Sequence, residues 1–211
     1  MLKVGLTGGL ASGKSFVGRA LADLGCLLIQ ADVLGRQVLE QGGETYEAVV
    51  ATFGNQILDL DGPSKGKINR RLLARIVFSD PEQLAKLSAL VHPPVKLRER
   101  DLADEFARTH PDGIAVTEAA ILVETGSYRD YDRLIVAVCR PEQQIERSIE
   151  RDGVSREEVL KRLSRQMPLE EKVKHADFII DTSGSKENTL QQVQTVYAAL
   201  QNLVKGPGLN P

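Results

Sequence analysis

Gly8-Gly9-Leu10-Ala11-Ser12-Gly13-Lys14-Ser15, preceded by the apolar run Val4-Gly5-Leu6, fits the phosphate-binding pattern G-x-x-x-x-G-K-[ST] at every fixed position. In such a loop the backbone folds tightly enough for successive N–H groups to point at phosphate oxygens, and the helix that follows adds the positive end of its dipole. Gly8 and Gly13 would make the turn, with Gly9, Ala11, Ser12 and Phe16 completing the cradle. Lys14 would reach the β- and γ-phosphates of ATP, and Ser15 would place its hydroxyl on Mg²⁺. A Gly-rich β-turn ahead of a helix is the plainer alternative. The surroundings favour the phosphate loop: Leu2 to Thr7 reads as a short buried strand, and Phe16, Val17, Ala20, Leu21 and Leu24 recur at helical spacing.

Working outward, 211 residues with 42% hydrophobic and 27% charged content describe an ordinary globular chain able to bury one α/β domain with insertions. A formal net charge of −2 argues against a broadly basic nucleic-acid surface and for a small ligand. Cys26 and Cys139 sit beside apolar runs and read as buried thiols. The three histidines are too scattered to assemble a zinc cluster. No run approaches the roughly 18 apolar residues of a membrane helix, and no signal segment precedes the first strand. These readings predict a cytoplasmic protein with no membrane association and no obligate protein partner.

Further along, Cys26 to Ile29 is a second apolar strand, followed by Asp32, which can cap a helix over Val33 to Leu39. Glu44 to Phe53 and Arg70 to Arg108 are helical by pattern, the latter interrupted near Asp80-Pro81 and again at Pro93-Pro94. This long stretch reads as a helical insertion. Strand signals return at Ile114 to Thr117, Leu134 to Val138 and Phe178 to Ile180, with a helix from Pro141 and a final amphipathic helix. Alternating strands and helices imply a parallel sheet. Ile149 to Lys174 is dense in Arg, Lys and Glu, which suits a solvated helix face. Its position between the last two strands tilts the reading toward a lid, whose arginines would stabilise a transferring phosphoryl group while closure excludes water.

Several segments together resemble the dephospho-coenzyme A kinase family. Gly5 to Ser15 is similar to the family's opening, and Ala31-Asp32 with Arg36 to its D-A-D-x-x-x-R segment. His92-Pro93 with Val95 resembles H-P-x-V; Gln144, Arg147 and Arg151 resemble Q-x-x-R-x-x-x-R; Arg162 and Gln166 resemble R-x-x-x-Q; and Ala176-Asp177 with Ser183-Gly184 resembles the late strand and loop. The chain departs from the pattern at Ala11 (usually Gly), Phe16 (usually a small hydroxylated residue), Gln30 (usually an acid), Asn69, Ala120 and Thr182 (usually Asn). The resemblance implies an α/β P-loop NTPase three-layer fold with a parallel sheet, a helical substrate-binding insertion and a helical lid. It implies a nucleotide core over residues 1–32, 109–145 and 176–204, an acceptor domain over 33–108, a lid over 146–175 and a flexible tail over 205–211.

The activity so implied is ATP- and Mg²⁺-dependent phosphorylation of the ribose 3′-hydroxyl of dephospho-CoA. Asp32 would orient that hydroxyl and take its proton, the alternative being that Asp32 only caps its helix. Lys14 and Arg147 would complete the catalytic set. Arg36, Arg70 and His92 would bind the acceptor, Arg147, Arg151 and Arg162 would belong to the lid, and Glu118 would reach the metal through water or else be a solvated strand-end acid. Another small-molecule P-loop kinase, such as one acting on nucleoside monophosphates, would share the fold. A nucleotide switch is a different class; Asp59-Leu60-Asp61-Gly62 offers a D-x-x-G match, but the chain has no Asn-Lys-x-Asp base-reading motif.

Overall fold

A computed structural model describes residues 1–205, and among these five strands carry the fold: β1 (Leu2–Gly8), β2 (Leu27–Gln30), β3 (Ile114–Glu118), β4 (Arg133–Val138) and β5 (Phe178–Asp181). They form one parallel sheet in the order β2-β3-β1-β4-β5. Parallel neighbours require crossover connections, and strands covered on both faces read as continuous apolar runs, as β1 and β3 do. The order reverses at β1, which places a crevice at the carboxyl edge where open α/β sheets bind ligands. The register sets Glu118 of β3 beside Gln30 of β2 and Leu6 of β1, and Gly8 beside Ala137 of β4.

Helices α1 (Lys14–Asp23) and α9 (Lys186–Lys205) supply the main apolar layer. Val17, Ala20 and Leu21 of α1 and Val193, Val196 and Leu200 of α9 join Val4, Leu6, Val116, Ile135 and Ile180 in one buried cluster. Each fully buried Val, Leu or Ile contributes about 1.5–3 kcal/mol. On the later crossover lie α6 (Pro141–Asp152), with Pro at its first position, α7 (Arg156–Leu163), capped by Ser155, and the short α8 (Leu169–Val173).

The chain divides into two compact units, residues 1–30 with those from 103 onward, and residues 31–102. The second contains α2 (Ala31–Gln37), α3 (Tyr46–Phe53), α4 (Arg70–Ser79) and most of α5 (Pro81–Thr109). Its own core is built by Val49, Phe53, Ile57, Leu73 and Val77, with Leu87 and Leu90 packed against it. Asn69 starts α4 by accepting from the Arg71 and Leu72 amides at 3.1 and 3.2 Å, while its amide donates to Asp59 at 2.6 Å.

Four expectations need correction. Asp80-Pro81 separates two helices as predicted, but Pro93-Pro94 does not interrupt α5. Leu87 and Leu90 before the prolines and Val95 after them remain packed or buried, and that packing offsets the ~3 kcal/mol of an interior proline. β2 begins at Leu27, not Cys26, because Cys26 still closes the turn after α1 onto the Leu21 carbonyl at 3.1 Å. The helix after β2 starts at Ala31, so Asp32 sits inside its first turn and not at a cap. The helix expected from Glu44 begins at Tyr46, with Thr45 at the N-cap position. The expected tail past Lys205 lies outside the described residues. No helix among the described residues is long and apolar enough to cross a membrane.

Candidate active site

The phosphate-loop segment leaves β1 at Gly8 and enters α1 at Lys14. A Cβ at Gly8 would collide with the Ala137 carbonyl, and Gly13, with φ of 83°, would put a Cβ 2.9 Å from Thr182. Both positions therefore demand glycine. Ala11, where the resembled family has Gly, adopts φ of 51°, a left-handed conformation that costs an L residue about 1–2 kcal/mol. The Phe16 and Val17 amides turn onto the Gly13 carbonyl at 2.9 and 3.1 Å. Those of Ala11, Gly13 and Ser15 have no protein acceptor among the described residues, as expected where a helix start faces an anion. The buried Ser12 hydroxyl is likewise without a partner there.

Beside the loop is an oxygen-rich cluster. Ser15 donates from its hydroxyl to Glu118 Oε1 at 2.5 Å, and Gln30 Nε2 donates to Glu118 Oε2 at 3.0 Å. Glu118 is only 7% exposed, so it is not a solvated acid; β2–β3 register puts Gln30 directly opposite it. A hydroxyl and a carboxylate at this spacing suit a hard divalent cation. Among the described residues no group of three or more His, Cys, Asp or Glu could hold a metal.

Behind the loop, Thr182 is 5% exposed and joins three elements. Its amide donates to the Val138 carbonyl at 2.8 Å, and its hydroxyl donates to the Ser12 carbonyl at 3.0 Å. It also accepts from Arg147 Nη1 at 3.0 Å, while Arg147 Nη2 donates to the Thr182 carbonyl at 2.8 Å. Thr182 thus supports the loop from below, and Arg147 lies on it. Burial pushes the Cys139 thiol up, with Arg147 pulling the other way.

The other two arginines expected in a lid, Arg151 and Arg162, converge elsewhere. Arg151 pairs with Asp152 at 2.8 Å, and Arg162 reaches Asp152 at 3.1 Å and Glu158 at 2.6 Å. Asp152 is held below the ordinary carboxylate range, chiefly by the Arg151 hydrogen bond. Lys172, inside the charge-dense segment read from sequence as a solvated helix face or a lid, is fully buried. Its ammonium lies 2.6 Å from Glu124 Oε1 and donates to the Ala120 carbonyl at 2.8 Å, which also accepts from the Thr7 hydroxyl at 3.2 Å. Lys172 and Glu124 form an ion pair.

The remaining expected residues belong to the other unit. Asp32 and Arg36 are exposed, one turn apart on α2, two and six residues past the end of β2. Arg70 is exposed in the first turn of α4. His92 is on the α5 surface, where partial burial of its ring and then Lys96 hold its pKa below the usual histidine value.

The family model described as dephospho-CoA kinase matches residues 2–188. A dephospho-CoA kinase from Aquifex aeolicus is 42% identical over 200 residues, covering 95% of this chain and 98% of that protein. One from Carboxydothermus hydrogenoformans is 42% identical over 193 residues, covering 92% and 91%. A crystal structure of a Thermus thermophilus protein superposes with a TM-score of 0.81 at 33% identity, covering 94% of this chain and 96% of the other.

Proposed function

Because this chain belongs to the dephospho-CoA kinase family, ATP-using enzymes that phosphorylate dephospho-CoA in coenzyme A biosynthesis, we propose that it transfers the γ-phosphoryl group to the ribose 3′-hydroxyl. The observation that carries the residue-level reading is the Ser15–Glu118 contact of 2.5 Å beside a glycine-built loop. The loop amides and Lys14 hold the β- and γ-phosphates. Ser15 would hold Mg²⁺ through its hydroxyl, and Glu118 would reach it through water. Mg²⁺ binds through one or two protein groups plus substrate phosphates, so this pair fits it without a larger cage. When bound, Mg²⁺ neutralises charge on the bridging and terminal phosphate oxygens.

Asp32 accepts a hydrogen bond from the acceptor hydroxyl, aims it and takes its proton late, since a carboxylate is a weak base toward an alcohol. Arg36 and Arg70 bind the acceptor's diphosphate, and His92 donates a hydrogen bond to the acceptor. Arg70 and Arg71 occupy the first turn of α4, where the helix dipole disfavours cations; an anionic ligand is a reason to keep them there. Arg151 and Arg162 supply lid charge to the transferring group by exchanging their carboxylate partners for phosphate. Arg147, expected from sequence to share that task, supports the loop through Thr182 in this reading. Residues 33–108 form the acceptor domain, 146–175 the lid, and the rest through 204 the nucleotide core.

Two variants test the division of roles. Asp32→Asn is expected to cut kcat by about 10²-fold or more, the low end for a lost general base, with ATP affinity retained. Lys14→Met is expected to lose both. Equal loss of ATP affinity in the two would overturn the assignments.

A further inference from the structure

Two glutamines from the segment between β4 and β5 grip the start of the phosphate loop. Gln144 of α6 is buried, and its side-chain amide packs directly on Gly9. Gln166, in the turn after α7, accepts the Leu10 N–H on its Oε1 at 2.9 Å. That second contact spans 156 residues of sequence and engages a main-chain donor of the loop itself. Gln166 in turn closes the turn that follows Arg162 at the end of α7. Its own amide donates to the Leu163 carbonyl at 3.0 Å, and the Arg165 amide donates to the Arg162 carbonyl at 3.3 Å. Seating Gln166 therefore sets the backbone that carries Arg162, whose guanidinium rests on Asp152 and Glu158.

We propose that Gln166 is the lid's positioning residue: its carboxamide oxygen hooks the Leu10 amide, so that the lid is seated on the phosphate loop and Arg162 is carried within reach of the transferring phosphoryl group. The inference rests on the kinase reading above but adds a residue and a job to it. Three properties of the contact assign the task. It is made by a neutral side chain, so it adds no negative charge beside a triphosphate. It uses one hydrogen bond, worth little enough to open for nucleotide exchange. It also ties lid closure, which excludes water, to the loop that holds the phosphates.

The test uses the full chain and two variants. Gln166→Met keeps length and bulk but removes the acceptor; Gln166→Glu keeps an acceptor and adds a charge. In nucleotide-free protein followed by NMR hydrogen exchange, the Leu10 amide of Gln166→Met should exchange about tenfold faster than wild type, and that of Gln166→Glu should stay protected. With substrates present, Gln166→Met should lower kcat by about 3- to 10-fold, the effect of one neutral hydrogen bond, with KM for dephospho-CoA unchanged. It should also raise the proportion of ATP hydrolysed without transfer, a partition that a merely structural role would leave alone. Gln166→Glu should restore that partition while raising KM for ATP. Unchanged Leu10 exchange in Gln166→Met would overturn the proposal, and so would faster exchange with wild-type kcat and partition. Failure of wild-type protein to use dephospho-CoA would instead strike the acceptor reading, because Leu10 exchange and ATP hydrolysis report on the lid without any acceptor.

Discussion

Replacing Lys172 with methionine should destabilise the fold more than any exposed charge change in the same segment. Lys172 has no exposed surface, while the Glu124 side chain keeps 22% of its own. Removing the ammonium leaves a largely shielded carboxylate without its counter-ion 2.6 Å away and takes the 2.8 Å donor from the Ala120 carbonyl. Breaking a buried pair costs about 3–5 kcal/mol, and the partial exposure of Glu124 argues for the lower end, about 3 kcal/mol. Ala120 adds little, because the Thr7 hydroxyl remains on its carbonyl. For a chain of this size about 3 kcal/mol corresponds to a Tm lower by about 6–12 °C. The double variant Lys172→Met with Glu124→Gln removes the stranded charge and should recover most of the loss. Urea and thermal denaturation of the nucleotide-free chain would measure all three. A single variant within 1 kcal/mol of wild type, or a double variant showing no recovery, would refute the reasoning.

Thr182→Val keeps the side-chain shape but strands Arg147 Nη1 and the Ser12 carbonyl, and it should cost about 1–3 kcal/mol and weaken ATP binding; Thr182→Asn, which offers both a donor and an acceptor, should lose less. Equal stability and ATP affinity in Thr182→Val and wild type would count against a supporting role. Glu118→Gln should raise the Mg²⁺ concentration for half-maximal turnover by about 10-fold or more while Ser15 keeps an acceptor, and an unchanged Mg²⁺ titration would remove Glu118 from the metal's surroundings. His92, its pKa lowered mainly by burial and then by Lys96, should titrate below about 6.5 by NMR. Because the unfolded chain binds that proton more readily, its contribution to stability is present above the unfolded value and lost as pH falls through the folded one. Lys96→Gln should recover only part of the shift, and a midpoint at or above 6.5 in wild type would contradict the assignment.

The loop from Gly8 to Ser15 and its strand–helix setting were legible because the motif is local: its chemistry and its backbone demands lie within one short stretch. The alternation of β1, α1 and β2 followed from period alone. What escaped depends on long-range packing. Nothing near Pro93-Pro94 announces that Leu87, Leu90 and Val95 would hold α5 through the pair. Lys172 hides in a run of charges because α8 is too short to show a periodic face, though Leu169 and Val173 flank it. Gln30 was visible as a departure from an acid, but only the strand register puts it against Glu118. Thr182 likewise stood out by identity, while its bond to Ser12 spans 170 residues and no local signal encodes it.

The most direct measurement is ADP release from the purified chain with Mg²⁺-ATP and, side by side, dephospho-CoA, AMP, CMP or adenosine as acceptor. Turnover should be fastest with dephospho-CoA, and the product should carry the new phosphate on the ribose 3′-oxygen. Preference for a nucleoside monophosphate, or no ADP from any acceptor, would contradict the account.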